Sequence, residues 1–199
     1  MKLLHDKWIK AIVDGQAKPI AVGDIINESV TDLAFTRLDF NGAIYQFLIG
    51  LLQSTMAPKN VKGWAELYLK PPSVEQLQQA FAQYADAFEL LPDEGPAFMQ
   101  DLTLLKSEGE AKSVAVLLIE APGAKTIKDN TDHFIKRGFA DQMCESCVTA
   151  ALYCLQSSAP AGGSGHRTSL RGGGGLTTLL IPSTPSNLWQ KLWLNVLPL

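Results

Sequence analysis

The sequence predicts an α+β fold in which helices and short strands are interspersed. Three observations carry this: Asp14-Gly15 between two apolar stretches near the N-terminus, apolar residues at helical spacing in four later segments, and two β-branched apolar runs between those segments. With 46% hydrophobic residues in 199, the chain can bury a core of its own, and its length suits one domain, or one and a part. We expect a single domain over residues 1–199.

Residues 8–13 and 18–22 flank Asp14-Gly15, a dipeptide that favours tight hairpin turns, so a small β-hairpin opens the fold. Asn41 is placed to cap a helix that carries Ile44, Phe47, Leu48, Leu51 and Leu52 on one face and stops at Pro58. Ser73 and Gln76 form a capping box after Pro71-Pro72, and Leu77, Phe81, Tyr84 and Phe88 follow at i, i+4, i+7 and i+11, a spacing that assigns all four to the core. A polar turn at 108–112 leads into 113–119, a predicted buried strand. Residues 125–137 hold four basic residues and two acids with few apolar anchors, which predicts a loop that a partner orders and a second candidate DNA loop beside the glycine segment below. Residues 141–156 read as a third helix with Cys144, Val148, Ala151, Leu152 and Leu155 on one side. The run 176–181 reads as a buried strand, Pro182 and Pro185 bracket a turn, and 187–197 reads as an apolar helix bearing Trp189 and Trp193. The end, Leu194-Asn-Val-Leu-Pro-Leu199, is apolar and uncapped, as in a shortened chain or a surface for a partner.

Charge is unevenly placed. All twenty acids lie at or before Glu145 together with fourteen Lys and Arg, a net charge of minus six, whereas the 54 residues after it contain Arg167, Arg171, Lys191 and no acid. The overall charge of −3 excludes the bulk basic character of a stand-alone nucleic-acid binder. A protein of this balance binds DNA usefully only when a larger assembly holds it there. The start has no apolar h-region and no apolar run is long enough to cross a membrane, so neither a signal peptide nor a span is expected. Three cysteines, an odd number, are not a disulfide framework, and a reducing cytoplasm is the expected location.

Seven of the sixteen glycines fall between Gly162 and Gly175, interleaved with Arg167 and Arg171. Glycine lets a main chain approach a ligand with no Cβ in the way, and guanidinium groups offer charge and planar donors that suit phosphate. A flexible linker is the plainer alternative, against which stands the apolar run that follows at once. Known phosphate motifs do not fit: a P-loop starting at Gly162 would need Gly at Arg167 and Lys at Thr168, and a dinucleotide fingerprint starting at Gly163 would need Gly at Thr168.

Cys144-Glu-Ser-Cys147 has the spacing of half a tetrahedral zinc site. Three readings stand for it: a reduced pair without metal, structural zinc, and a thioredoxin-type redox centre, whose βαβ context is not evident upstream. Cys154 reads as a buried helical thiol. Asp132-His133 are sequence neighbours, poorly placed for an orienting hydrogen bond, and no serine lies in a nucleophile-elbow context, so no hydrolytic constellation emerges.

Leu3-Leu-His-Asp-Lys-Trp-Ile9, Ala57-Pro-Lys59, Phe98-Met-Gln100, Cys144-x-x-Cys147 with Thr149-Ala-Ala-Leu152, Ser169-Leu-Arg-Gly-Gly173 before Thr177-Thr178, and Leu194-Asn-Val-Leu197 occur in this order over nearly the whole chain. Together they resemble the N-terminal part of CasA, the large subunit of the type I-E CRISPR surveillance complex Cascade. The resemblance implies a non-enzymatic subunit at the foot of a crRNA-bearing antiviral complex. Such a subunit recognises the protospacer-adjacent motif (PAM) in target double-stranded DNA, helps open the duplex and recruits the helicase-nuclease. Its partners would be the other Cascade subunits, crRNA, target DNA and the helicase-nuclease, with no membrane. The family's glycine loop, which approaches the motif from the minor groove, falls on Gly162, Gly163, Ser164 and Gly165, with Ser164 where the family tends to have glycine. Arg167 and Arg171 would contact phosphates beside it. The family loop that meets the crRNA-bearing end of the complex maps onto Phe134, Ile135, Lys136 and Arg137. Family members are more than twice this length, so the C-terminal helical bundle, the basic hairpin and the polar wedge are expected beyond Leu199. The second cysteine pair of a family zinc site is expected there too, which leaves Cys144 and Cys147 as half of one. Two readings of other classes stand beside this one: a small zinc or thiol-redox protein using Cys144 and Cys147, and a purely structural subunit without DNA contact.

Overall fold

A computed structural model describes the chain except for residues 102–110, 139, 160–168 and 171–177. Its residues group into two compact units, Met1–Gln100 with Leu176–Leu199, and Asp101–Gly175. Among the described residues one small antiparallel sheet, built from strands within residues 9–33, precedes the α-helices, an α+β fold as the sequence predicts.

In the first unit, β1 (Ile9–Val13) and β2 (Gln16–Ile20) pair antiparallel with Val13 opposite Gln16. Asp14 and Gly15 are thus a two-residue turn, and both have positive φ, 51° and 74°, as a type I′ turn demands. A third strand, β3 (Val30–Leu33), lines the other edge of β1 and gives the order β2-β1-β3. It has only four residues, two of them the polar pair Thr31 and Asp32, and no periodicity announced it.

Helix α1 (Leu38–Met56) buries Phe40, Ala43, Ile44, Phe47, Leu48, Leu51 and Leu52, the face its spacing predicts. Asn41 is not its cap. The helix starts after Arg37, and the Asn41 amide accepts from the Phe35 N–H (2.9 Å) and donates to the Phe35 carbonyl (2.8 Å), which pins the incoming chain across the first turn. Helix α2 (Val61–Leu69), capped by the Asn60 side chain accepting from the Gly63 N–H, has no fully buried residue and no counterpart in the sequence reading. Helix α3 (Val74–Phe81) has the predicted Ser73–Gln76 capping box and buries Leu77 and Phe81. Residues Ala82–Ala87 then tighten into a 3-10 turn. Its three-residue period rotates the stripe, so Tyr84 faces solvent and Phe88 is only half-buried, contrary to the assignment of all four to the core.

The C-terminal part of this unit holds the largest correction. Residues 178–181 are not a strand; Leu180 and Ile181 are 57% and 70% exposed. The Asn195 side chain accepts from the Leu180 N–H and donates to its carbonyl, each at 2.8 Å, so the backbone bonds a strand would use are taken by an amide. The rest of the predicted strand, 176–177, lies outside the described residues. Helix α6 (Leu188–Trp193) is shorter than the predicted 187–197 and carries an Asn187–Gln190 capping box. Trp189 and Trp193 are wholly buried and stacked, with centroids 4.9 Å apart. Their indole N–H groups donate to the carbonyls of Leu67 (2.8 Å) and Trp64 (2.9 Å) on α2, and the Trp64 indole donates to the Val196 carbonyl (2.9 Å).

Sequence motifs far apart meet in this unit. The Leu3 N–H donates to the Phe88 carbonyl, the Leu90 N–H to the Met1 carbonyl and the Phe98 N–H to the Glu89 carbonyl, so 1–3 and 98–100 flank one short segment. Trp8, Phe47, Phe88 and Phe98 cluster there with centroids 5.6 to 5.9 Å apart. Likewise Pro58 accepts from the Leu199 N–H, and Gln53 both donates to and accepts from the Leu197 backbone, which joins the Ala57-Pro-Lys59 and Leu194–Leu197 motifs. These motifs are packing signals.

In the second unit the predicted strand at 113–119 is a 3-10 turn, Val114–Leu117, started by the Ser113 hydroxyl accepting from the Ala115 N–H; the predicted polar turn before it lies, apart from 111 and 112, outside the described residues. Val116 is exposed and Leu118 buried. Helix α4 (Ala124–Lys128) occupies the start of the predicted loop. Helix α5 (Glu145–Ser158) begins four residues later than predicted and buries Thr149, Ala150, Ala151, Cys154 and Ser157 in place of Val148, Leu152 and Leu155, which are half-buried. Small residues let neighbouring backbone approach this face. The two hydroxyls are satisfied on the helix itself, Thr149 on the Glu145 carbonyl and Ser157 on the Tyr153 carbonyl.

Because α2 has no buried side chain of its own, its place depends on the indoles of α6. Trp193→Ala should cost about 3–5 kcal/mol of stability. Trp193→Phe, which keeps an apolar ring but loses the donor and leaves a void, should cost about 1–3 kcal/mol. Urea unfolding of the chain measures both; a Phe variant as stable as the parent would show that the indole donor contributes nothing.

Candidate nucleic-acid interface

The predicted complex-contact loop is built by local hydrogen bonds. After α4 the chain reverses at Asn130 (φ 52°) and again at Gly138 (φ 68°). Between them the Arg137 guanidinium grips Asp132 with both arms, Nε to Oδ2 at 2.5 Å and Nη2 to Oδ1 at 2.7 Å. Nη2 also reaches Asn130 Oδ1 (3.2 Å) and the Ile127 carbonyl (3.3 Å). The Asp132 side chain is only 7% exposed, and this guanidinium holds its carboxyl down to about 2 from an ordinary 3.8. Asp132 is therefore committed to Arg137 and does not orient His133.

Phe134 projects wholly into solvent from the tip, Lys136 is exposed beside it, and Ile135 is half-buried. An aromatic ring presented in this way offers a stacking face. Beside it Phe134, Ile135 and Lys136 form one wall of a pocket of about 480 Å³ whose other wall includes Ala115, Leu118 and Pro122. The sequence points to Phe134, Ile135, Lys136 and Arg137 but not to the structural parts that Asp132 and Asn130 play in this loop. The usable signal was an Asn-x-Asp followed by Arg-Gly, turn formers at both ends of an oppositely charged pair.

The other candidate, Gly162, Gly163, Ser164, Gly165, Arg167 and Arg171, lies outside the described residues. Its borders are described. The Ala159 N–H donates to the Leu155 carbonyl, and the Leu170 N–H donates to the Gln156 carbonyl at 2.8 Å, with Ser169 buried. Both ends of 160–168 are therefore fixed to the last turn of α5. At the other end of that helix Cys144 is the N-cap residue, exposed, and Cys147 the third helical residue, half-buried, while Cys154 is the buried thiol predicted for it. Thiols in these positions are chemically suited to zinc, but among the described residues no third His, Cys, Asp or Glu joins them.

A pocket of about 590 Å³ in the first unit is lined by Asp32, Tyr45, Lys191 and Asn195 with the 179–186 segment. Asp32 accepts from Lys191 Nζ (2.6 Å), the Tyr45 hydroxyl (2.6 Å) and the Leu33 N–H (2.8 Å). Burial works to raise the Asp32 carboxyl, but these bonds outweigh it and leave it below the usual range; burial and the same carboxylate push the Tyr45 hydroxyl well above its own. With its lone pairs engaged in this way, Asp32 ties β3 to α1 and α6 and is no general base.

Two outcomes follow from this geometry. Asp132 has a folded pKa below its unfolded value, so the clamp's contribution is complete above about pH 4 and is lost as pH falls through about 2. The Arg137 Nε–H resonance, followed by NMR, should stay in its bonded position from neutral pH to about pH 4 and move only below it; a transition near pH 6 would contradict the assignment. Zinc titration of the 199-residue chain should give less than one tightly held ion per chain, or one shared by two chains, because two thiolates leave two coordination positions open. One tight zinc per monomer would contradict it.

The sequence model of the family CRISPR-associated protein Cse1 matches residues 2–198. Among solved structures, CasA (Cse1) of Thermus thermophilus superposes with a TM-score of 0.70 at 17% identity, over 100% of this chain and 41% of that one. Cse1 of Thermobifida fusca gives 0.71 at 18%, over 100% and 39%. A chain in a structure described as a CRISPR RNA-guided surveillance complex gives 0.67 at 15%, over 98% and 43%. The chain thus spans about two fifths of the length of these proteins, and at such identities the likeness is one of fold. Among the described residues no helix is long and apolar enough to cross a membrane. With its motifs in the order of the N-terminal part of CasA and a family match over residues 2–198, the chain belongs to the CRISPR-associated Cse1 family.

Proposed function

We propose that this chain is the N-terminal part of a non-enzymatic subunit of a type I-E Cascade complex, a crRNA-guided antiviral assembly, and that it reads the protospacer-adjacent motif in target double-stranded DNA. The observation that carries this is the family match over residues 2–198, supported by the fold likeness to a chain of an RNA-guided surveillance complex. In this reading Gly162, Gly163, Ser164 and Gly165 enter the minor groove, where side chains would collide with base edges, and Arg167 and Arg171 position phosphates without reading sequence. Phe134, Ile135, Lys136 and Arg137 face the crRNA-bearing end of the complex. Recruitment of the helicase-nuclease and the opening of the duplex belong to the whole subunit, with any zinc completed by cysteines outside these residues.

Charge supports the division of labour. The acidic balance before Glu145 disfavours broad DNA contact there, while the acid-free region after it holds Arg167 and Arg171. In the full-length protein assembled into its complex, Gly163→Asp should abolish motif-dependent DNA binding while assembly stays intact, since it adds both bulk and negative charge at the groove. Arg167→Ala should weaken all sequences about equally and flatten the salt dependence. The measurement is target-DNA affinity with correct and incorrect motifs at two salt concentrations. Full motif discrimination by the Gly163→Asp variant would overturn the assignment of these glycines.

A further inference from the structure

We propose that Arg137 is a positioning residue: by gripping Asp132 and Asn130 it closes the loop and holds Phe134 and Lys136 outward, and it acts on the partner through them instead of touching it. The inference rests on the reading of this loop as the contact with the crRNA-bearing end of the complex.

A guanidinium binds a phosphate through one of two two-donor edges, Nε with Nη2 or Nη1 with Nη2, and Nη2 belongs to both. Here the Nε and Nη2 edge already holds both oxygens of Asp132 at 2.5 and 2.7 Å, and Nη2 is shared further with Asn130 and the Ile127 carbonyl. A phosphate that took this edge would displace a carboxylate and then lie against it. The pair also has no net charge, so it adds little to attraction at a distance. What the clamp does change is the backbone. Asn130 and Gly138 both sit at positive φ, a conformation that glycine takes freely and asparagine more readily than most other residues. The Asn130 side chain is one of the clamp's acceptors, so the bond that closes the loop also reaches its reversal point. Between the reversals the Ile135 N–H donates to the Asp132 carbonyl, which makes a tight turn with His133 and Phe134 at its corner. Phe134 has no apolar cover and would fold back or fluctuate were the turn open. A closed turn removes that freedom before the partner arrives, and the partner then spends less on ordering it.

The test uses the full-length chain and the crRNA-loaded remainder of its complex, with their dissociation constant measured at several salt concentrations for shape-conserving variants. Asp132→Asn and Arg137→Met should each weaken association about fivefold, and the double variant, in which the pair is again neutral, should weaken it no more than either single one and leave the salt slope unchanged. The exchange Asp132→Arg with Arg137→Asp should recover part of the loss, which separates the clamp from general damage to the fold. If Arg137 instead touches a phosphate, Asp132→Asn will tighten association by removing a repulsive charge, and Arg137→Met will make the salt slope shallower; either result overturns the positioning role. Phe134→Ala is the control on the underlying reading. If it weakens association while Asp132→Asn does not, only the positioning role falls; if it has no effect, the contact reading falls and this inference with it.

Discussion

A buried indole must place its N–H on an acceptor, and the first unit is arranged around that requirement. Trp189 and Trp193 are wholly buried, and the acceptors they find are main-chain carbonyls one turn apart on α2. Trp64 returns a bond in the other direction, to Val196. Helix α6 has six residues and α2 nine, both below the length at which an isolated helix holds in water. Neither therefore holds alone: α2 is held by α6, and α6 packs on α1 and β3 as well as on α2. The same rule acts at the N-terminus, where the Trp8 indole donates to the Leu3 carbonyl at 2.7 Å inside the core and holds the first residues to it. Residues more than a hundred positions apart become neighbours because each indole has to be satisfied.

What the sequence disclosed follows how local each signal is. The Asp14-Gly15 turn, the apolar face of α1 and the Ser73–Gln76 capping box are each written within a few residues, and all are present in the structure. Asn41 misled because its side chain does bond backbone, but that of Phe35 in the loop before the helix. The two predicted strands misled for a shared reason: β-branched apolar runs at 113–119 and 178–181 are compatible with a strand, but Ser113 starts a 3-10 turn in one and Asn195, fifteen positions from Leu180, takes the backbone bonds of the other. No window of sequence contains that second contact. In α5 fit outweighs size: its buried face is made of Ala150, Ala151 and Cys154, where small side chains permit close packing.

The candidate interface divides in the same way. The positions of Phe134 to Arg137 come from motif order over the whole chain, whereas the pairing of Arg137 with Asp132 is visible only in the distances. One arginine in a polar stretch looks like any other until its partner at 2.5 Å is known. The family motifs themselves turn out to be mostly places where distant segments meet, such as Pro58 with Leu199 and Leu3 with Phe88. The motifs at 3–9, 57–59, 98–100 and 194–197 thus identify the fold, and through it the family, without being sites.

The anchoring of Ala159 and Leu170 to neighbouring carbonyls of α5 changes what the nine residues 160–168 cost the protein. Their ends are brought together by the helix, so the entropy of ring closure is met by folding and is independent of any ligand. Each doubling of the ring's contour would add only about 0.6 kcal/mol. The length of the stretch between these two anchors can therefore vary at little expense to the scaffold that holds them.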